Sequence, residues 1–277
     1  MKKRHIIYIL SIVLFCILAV IFIPIVKRNI ADGYVKQGNE LKTNGNYDQA
    51  IIFYKKALSL ISDYSDAKKG IIGIYILQGD IRRNNKNYDE AIKFYQKGLD
   101  IDQNSGEIRN NIAKTYIQQG MEYRDIGNLG EAINFFKKAI EIVYYHLYST
   151  ELFDTALKCI VDIIIDQGNE KQNNGLYYDA IVHFQEAIIY LESIKKPSNH
   201  GFITFVPIVE NSMLDIYYLQ GNNYLLNNNF DEAIQSFQKA LSLNYFVVFS
   251  PGLEKEKNRK LIRIWQLPIY GKAKNIL

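Results

Sequence analysis

Apolar and small residues recur along this chain with the spacing of amphipathic helices. Tyr34, Gly38 and Leu41 lie at i, i+4 and i+7, which places them on one face of a helix. Ala50 and Tyr54 repeat the i, i+4 spacing shortly afterwards, and the intervening TNGNY supplies Gly and Asn for a turn. The pattern predicts two antiparallel helices joined by a short turn.

This two-helix pattern occurs five times. In each copy a Gln-Gly pair is followed, twelve residues after its Gly, by an Ala; the pairs are Gly38 and Ala50, Gly79 and Ala91, Gly120 and Ala132, Gly168 and Ala180, and Gly221 and Ala233. A single Gly weakens a helix by about 1 kcal/mol, so five at one register favour close helix packing around the aromatic residue of the second helix. The copies are predicted near 31–64, 72–105, 113–146, 161–194 and 214–247.

These copies resemble tetratricopeptide repeats. In that family the first helix carries a large residue, then Gly, then an aromatic residue or Leu, and the second carries Ala, an aromatic residue and Ala. The chain departs from this pattern at Arg82, Gly98, Ile164 and Lys171. The resemblance covers about 31 to 247 and implies an all-α fold in which about five helix hairpins stack as an α-solenoid.

The copies are more widely spaced than the family's period of about 34 residues. Successive copies start 41, 41, 48 and 53 residues apart. The smallest spacing exceeds the family's period by about seven residues, which is about two helical turns. We therefore expect first helices that start early, at SDAKKG (from 65) and NSGEIRNN (from 104), with Ser or Asn as caps. The segment 195–213, which contains Pro197, Gly201 and Pro207, is predicted to be an excursion from the repeat.

An uncharged segment precedes the repeats. Residues 6–26 would span about 30 Å as a helix, whereas a cleaved signal peptide has an apolar core of about 7 to 15 residues. We therefore expect a single-pass membrane anchor at 1–28, ahead of a repeat body at 29–250. The flanking basic residues slightly favour a body outside the cytoplasm; they are Lys2, Lys3 and Arg4 on one side and Lys27, Arg28 and Lys36 on the other.

The last residues, 251–277, are predicted to form a capping helix and a basic tail. Trp265 falls where the copies have their first aromatic residue, and Pro268 then ends the helix. The net charge of +4 comes from the two ends of the chain, since 253–277 has seven basic and two acidic residues and the repeat body is mildly acidic. No nucleic-acid partner is expected for such a body.

Catalytic and metal chemistry are not indicated by the sequence. The four His residues are scattered, and neither a paired Cys/His spacing nor a Gly-rich phosphate loop occurs. Cys16 and Cys159 do not indicate a disulfide. We predict a nonenzymatic protein without a cofactor or a metal site.

The resemblance also implies that the first helices line a groove that holds segments of other proteins. By the family's register the partner-binding residues are Asn39, Lys42, Ile76, Asp80, Arg83, Lys114, Ile117, Met121, Arg124, Asn169, Tyr218 and Asn222. Three of these cations, at 42, 83 and 124, share one register and form a hypothetical basic ladder. The ladder runs beside an apolar stripe, composed of Val35, Ile76, Ile117, Ile165 and Tyr218.

A peptide partner with acidic and apolar residues would suit both the ladder and the stripe. The alternative is that the cations only solubilise the groove and the apolar residues seal helix contacts. The predicted function is a membrane-anchored interaction scaffold for assembly or recruitment at a cell envelope. The alternatives are a cytosol-facing targeting or transport receptor, and a noncatalytic subunit of an envelope enzyme or a secretion machine.

Overall fold

The computed structural model describes residues 2–144, 149–193 and 200–243, with side chains described at 14–15, 18–144, 149–192 and 205–243. Ten α-helices lie in these ranges, which confirms the predicted all-α class. They are α1 (Lys2–Thr43), α2 (Tyr47–Leu60), α3 (Ser65–Asn84), α4 (Tyr88–Leu99), α5 (Gly106–Asp125), α6 (Leu129–Tyr144), α7 (Thr150–Asn173), α8 (Tyr177–Ser193), α9 (His200–Leu226) and α10 (Phe230–Ser242).

Each repeat copy is a helix hairpin closed by a three-residue turn. The middle turn residue has a positive φ in every copy; these residues are Gly45, Lys86, Gly127, Gly175 and Asn228, with φ between 61° and 79°. Gly adopts this left-handed conformation without a steric cost, and Asn tolerates it. Lys86 is the exception, since a long side chain at this conformation costs about 1–2 kcal/mol.

The aromatic residue of each second helix lies directly on the Gly of its own first helix. The pairs are Gly38 with Tyr54, Gly79 with Tyr95, Gly120 with Phe136, Gly168 with Phe184, and Gly221 with Phe237. A Cβ on any of these glycines would lie within 2.7 Å of a ring carbon, and all five aromatic side chains are completely buried. The predicted reason for the recurring spacing, close packing at Gly, is confirmed. Gly70 on α3 adds a second glycine contact for Tyr54.

The chain divides into two compact units. Unit 1 comprises Met1–Gln119 and Ile142–Tyr148, and unit 2 comprises Gly120–Glu141 and Ser149–Leu277. In unit 1, α1 packs on α2 and α3, α2 on α3, and α3 on α4; in unit 2, α7 packs on α8 and α9, α8 on α9, and α9 on α10. Within each unit, consecutive hairpins therefore bury their apolar faces against one another.

The first helices of the later copies start early, as the wide copy spacing predicts. α3 begins at Ser65 and α5 at Gly106. The predicted caps are partly wrong, since Tyr64 is the N-cap of α3 and makes no side-chain cap hydrogen bond. At α5 the predicted Ser cap is present, because Ser105 Oγ accepts a hydrogen bond of 3.5 Å from the Ile108 amide. Ser149, for which no cap was predicted, caps α7 in the same way and accepts a hydrogen bond of 3.2 Å from the Leu152 amide.

The predicted excursion at 195–213 is corrected in its second part. α9 is helical from His200 onwards, so 200–213 lengthens a first helix, with Pro207 inside it. Pro207 is the eighth residue of α9, beyond the first turn, so it removes the backbone hydrogen bond that an amide there would donate to the carbonyl of residue 203. Residues 195–199 and the predicted capping helix at 251–277 lie outside the described residues.

The predicted membrane anchor at 6–26, and with it the single-pass localisation, is also corrected. No helix among the described residues is long and apolar enough to cross a membrane. The side chains at 6–13, 16 and 17 lie outside the described set, and α1 runs on into the first repeat.

Candidate partner-binding site

The twelve predicted partner-binding residues all lie on first helices. Unit 1 contains Asn39, Lys42, Ile76, Asp80, Arg83, Lys114 and Ile117, and unit 2 contains Met121, Arg124, Asn169, Tyr218 and Asn222. Eleven of the twelve are exposed or half-buried. Ile117 is only 6% exposed and Val35 of the apolar stripe only 9%, so these two side chains pack between helices and offer little surface to a partner.

Asn39 is bound to the packing aromatic residue of its own repeat. The Tyr54 hydroxyl donates a hydrogen bond of 2.6 Å to Asn39 Oδ1. The ring is buried while Asn39 is exposed, so the hydroxyl reaches the edge of the core and meets the amide there. Burial raises the Tyr54 pKa, which keeps the phenol protonated as a donor.

The same register in the second repeat forms a charged cluster. The Tyr95 hydroxyl donates a hydrogen bond of 2.7 Å to Asp80 Oδ1, and Arg83 Nη2 lies 2.8 Å from the same oxygen. Burial, followed by the hydrogen bond to Asp80, raises the Tyr95 pKa well above its usual range. The Arg83 side chain is 16% exposed, and its Nη1 is buried with no hydrogen-bond partner among the described residues.

The three later repeats lack this arrangement because their packing residues are Phe136, Phe184 and Phe237. A phenyl ring has no hydroxyl to donate. Sequence reasoning missed this difference, although the exchange of Tyr for Phe at one register was visible in the sequence.

The cations of the predicted ladder have different surroundings. Lys42 Nζ lies 3.0 Å from the position that a Cβ on Gly73 would take, and Lys42 makes no ion pair with any described residue. Arg83 is paired with Asp80. In unit 2, burial raises the Asp162 pKa, and the nearby positive charges of Lys158 and Arg124 oppose that rise.

A polar cavity of about 440 Å³ lies on α5 within unit 1. Its lining residues are Gly106, Glu107, Asn110, Asn111 and Lys114. Asn110 Oδ1 is buried without a hydrogen-bond partner among the described residues. Of the lining residues, sequence analysis predicted only the lysine, because the others lie on the two-turn extension of α5 that precedes the family's register.

The described residues contain no group of three or more His, Cys, Asp and Glu placed to hold a metal ion. Cys159 is a free thiol, 7% exposed, and burial raises its pKa.

Comparison with protein families finds tetratricopeptide repeat models in three segments. They match residues 31–64, 70–143 and 214–244, about half of the chain in total. The three segments coincide with the first, the second and third, and the fifth copies. No match was found among curated proteins.

A solved structure shows the same fold. A TPR repeats protein from Bacteroides fragilis NCTC 9343 is 18% identical, with a TM-score of 0.50 over 84% of this chain and 97% of that one. YrrB, a TPR protein with an unusual peptide-binding site, is 18% identical, with a TM-score of 0.25 over 82% of this chain and 90% of its own. A thermophilic TPR protein from Thermus thermophilus is 12% identical, with a TM-score of 0.24 over 84% of this chain and 99% of that one. At 18% identity the likeness to the Bacteroides fragilis protein concerns the fold alone.

Proposed function

Because the chain belongs to the tetratricopeptide repeat family, whose repeats generally mediate protein–protein interactions without catalysis, we propose that it is a scaffold whose first helices hold a segment of a partner protein. Its role is to recruit that partner or to help assemble it with others. The partner segment carries acidic and apolar residues.

The observation that carries this proposal is the difference between the two helices of each repeat. The second helices use their Ala and aromatic residues for packing, and those aromatic side chains are completely buried. The first helices keep eleven of the twelve predicted residues exposed or half-buried. Since the recurring Ala and aromatic side chains of the second helices are used for packing, the surface left for a partner lies on the first helices.

The chemistry of that surface supports a peptide partner. In unit 1, Lys42 and Lys114 make no ion pair with a described residue, and Ile76 is half-buried close to them in register. In unit 2, Tyr218 is half-buried with its ring 6.2 Å from that of Phe237, so one side of an anchored aromatic ring remains available. Aromatic residues of this kind are frequent anchors at protein interfaces.

Site-specific photo-cross-linking tests the proposal. A photoreactive amino acid is placed at Lys114 or Asn222 on first helices, and in matched variants at Lys55 or Gln235, which are exposed on the second helices α2 and α10. After irradiation in cells, cross-linked proteins are identified by mass spectrometry. We expect the same partner at both first-helix positions and little of it at the second-helix positions.

Cross-links concentrated at Lys55 and Gln235 would place the interaction on the wrong helices and overturn the proposal. A uniform yield from all four positions would indicate random collision and would overturn it equally. Far-UV circular dichroism of each purified variant confirms that the helices are intact.

A further inference from the structure

A lysine in unit 1 lies over a position where the neighbouring helix has no side chain. Lys42 stands at the end of α1, and its ammonium approaches the backbone of α3 at Gly73, 3.0 Å from where a Cβ would be. Apart from the helix's own backbone and the chain neighbours of Gly73, only Lys42 among the described residues places atoms within 4 Å of that Cβ position. The surface therefore has a notch at Gly73 with a positive charge over it.

The same two positions of the repeat carry different residues in unit 2. Lys42 is the twelfth residue of its copy and Gly73 the second residue of the next; in unit 2 the same two positions are Arg124 and Asp162, a cation and an acid. Arg124 Nε also lies 4.0 Å from Oδ1 of the adjacent Asp125. In unit 1 the position opposite Lys42 in register is a glycine, and Lys42 makes no ion pair with a described residue.

Between the second and third copies, the same two positions carry Arg83 and Lys114, which are both cations. Arg83 is paired with Asp80 of its own helix. Lys42 has no such acid, because the residue three positions before it on α1 is Asn39. Of the three ladder cations, Lys42 alone has neither an ion pair nor an acidic residue at the facing position among the described residues.

We propose that the Lys42 ammonium and the Gly73 notch receive an Asp or Glu side chain of the partner segment, which supplies the kind of side chain that the chain itself carries at the equivalent position of unit 2, Asp162. This assignment rests on the proposed partner-binding function and specifies one contact within it. A lysine pairs with a carboxylate as a point charge, so either acid fits. Gly73 leaves room for the acid's methylene groups against the helix backbone.

The test uses the full-length chain and a phage-displayed library of random dodecapeptides. The tightest-binding peptide is synthesised with a fluorophore, and its dissociation constant is measured by fluorescence anisotropy. Lys42→Glu reverses the charge at the notch. Gly73→Asp supplies an internal carboxylate to Lys42, while Gly73→Asn adds the same bulk without the charge. Lys55→Glu makes the same charge change on α2, away from the notch.

We expect one peptide position to be enriched in Asp or Glu. Lys42→Glu and Gly73→Asp should each weaken binding of that peptide roughly tenfold, the size of a close interfacial charge pair. Gly73→Asn and Lys55→Glu should change binding less than about threefold, and replacing the peptide's acid by Lys should restore affinity for Lys42→Glu. Asp has a helix propensity no worse than that of Gly, so Gly73→Asp should fold.

Three results would overturn the inference. Selected peptides without acid enrichment, or with an acid whose contribution is unchanged in Lys42→Glu and Gly73→Asp, would leave the proposed function standing and remove this contact from it. A loss in Gly73→Asn equal to that in Gly73→Asp would mean that the notch accommodates bulk and not a carboxylate. A library that yields no binding peptide would instead contradict the proposed function itself.

Discussion

The hydroxyl of the packing tyrosine should matter more in the second repeat than in the first. Tyr95→Phe removes a hydrogen bond of 2.7 Å to the Asp80 carboxylate, and Tyr54→Phe removes one of 2.6 Å to the Asn39 amide. Both rings are completely buried on a Gly, so each substitution deletes only the hydroxyl. The two variants are matched in register and in chemistry; they differ in the acceptor, and Tyr54 also packs on Gly70.

The expected magnitudes follow from the charge of that acceptor. A hydrogen bond to a charged group contributes about 1.5–3 kcal/mol, and a neutral one about 0.5–1.5 kcal/mol. Asn39 is exposed, so water replaces the lost phenol and the cost falls in the lower half of the neutral range. Asp80 has a half-buried side chain paired with an Arg83 guanidinium that is 16% exposed, and water reaches this cluster less easily. We expect Tyr95→Phe to cost about 1–2 kcal/mol more than Tyr54→Phe.

Native-state hydrogen exchange is the appropriate assay, because a repeat array opens locally and its stability is a sum over neighbouring repeats. Peptic peptides from α3 and α4 report on Tyr95→Phe, and peptides from α1 and α2 report on Tyr54→Phe. Urea unfolding followed by far-UV circular dichroism provides the global comparison. Equal losses in the two variants, or a larger loss for Tyr54→Phe, would refute the assignment of the charged cluster as the stronger contact.

Two further predictions concern packing and burial. Gly221→Ala should destabilise the chain by about 1–3 kcal/mol, because the new methyl would lie 2.5 Å from the Phe237 ring. Gly130→Ala, with nothing within 4 Å of the new methyl, should stabilise the chain by up to about 1 kcal/mol. Urea unfolding measures both effects, and a stabilising Gly221→Ala would contradict the packing. In a Cys16→Ser background the buried Cys159 thiol should react with iodoacetamide much more slowly in the folded chain than in urea, because burial both shields it and raises its pKa; equal rates would show that the site is open.

The helix hairpins were predictable from the sequence because their packing depends on residues close together in the chain. Gly79 and Tyr95 are sixteen residues apart and meet through a single turn, so their spacing alone encodes the contact. The starts of α3 and α5 were predictable to within a turn from the copy spacing, whereas the start of α9 was not, since 200–213 was predicted to be an excursion. The cap of α3 was not, because Ser65 and Tyr64 are equally placed by spacing and the backbone puts the tyrosine at the N-cap.

The roles of the groove residues were less predictable. The repeat register predicts Asp80 and Arg83 on the groove, and both lie on the first helix as expected. The register does not predict what else each side chain contacts. Their ion pair and the Tyr95 hydroxyl bring together residues of two helices at the edge of the core. The lining of the α5 cavity was missed for a different reason, since a family register of about 34 residues has no positions for a helix extension.

The exchange of Tyr for Phe separates the repeats into two kinds. In the first and second copies, the residue after the first-helix Gly accepts a hydrogen bond from the packing tyrosine, so a change there to suit a partner would also cost stability. In the fourth and fifth copies the same position carries Asn169 and Asn222, and the packing residue is Phe. A substitution at these two asparagines breaks no bond to the packing ring. One register therefore serves stability in unit 1, while in unit 2 it can vary with the partner at little cost to the fold.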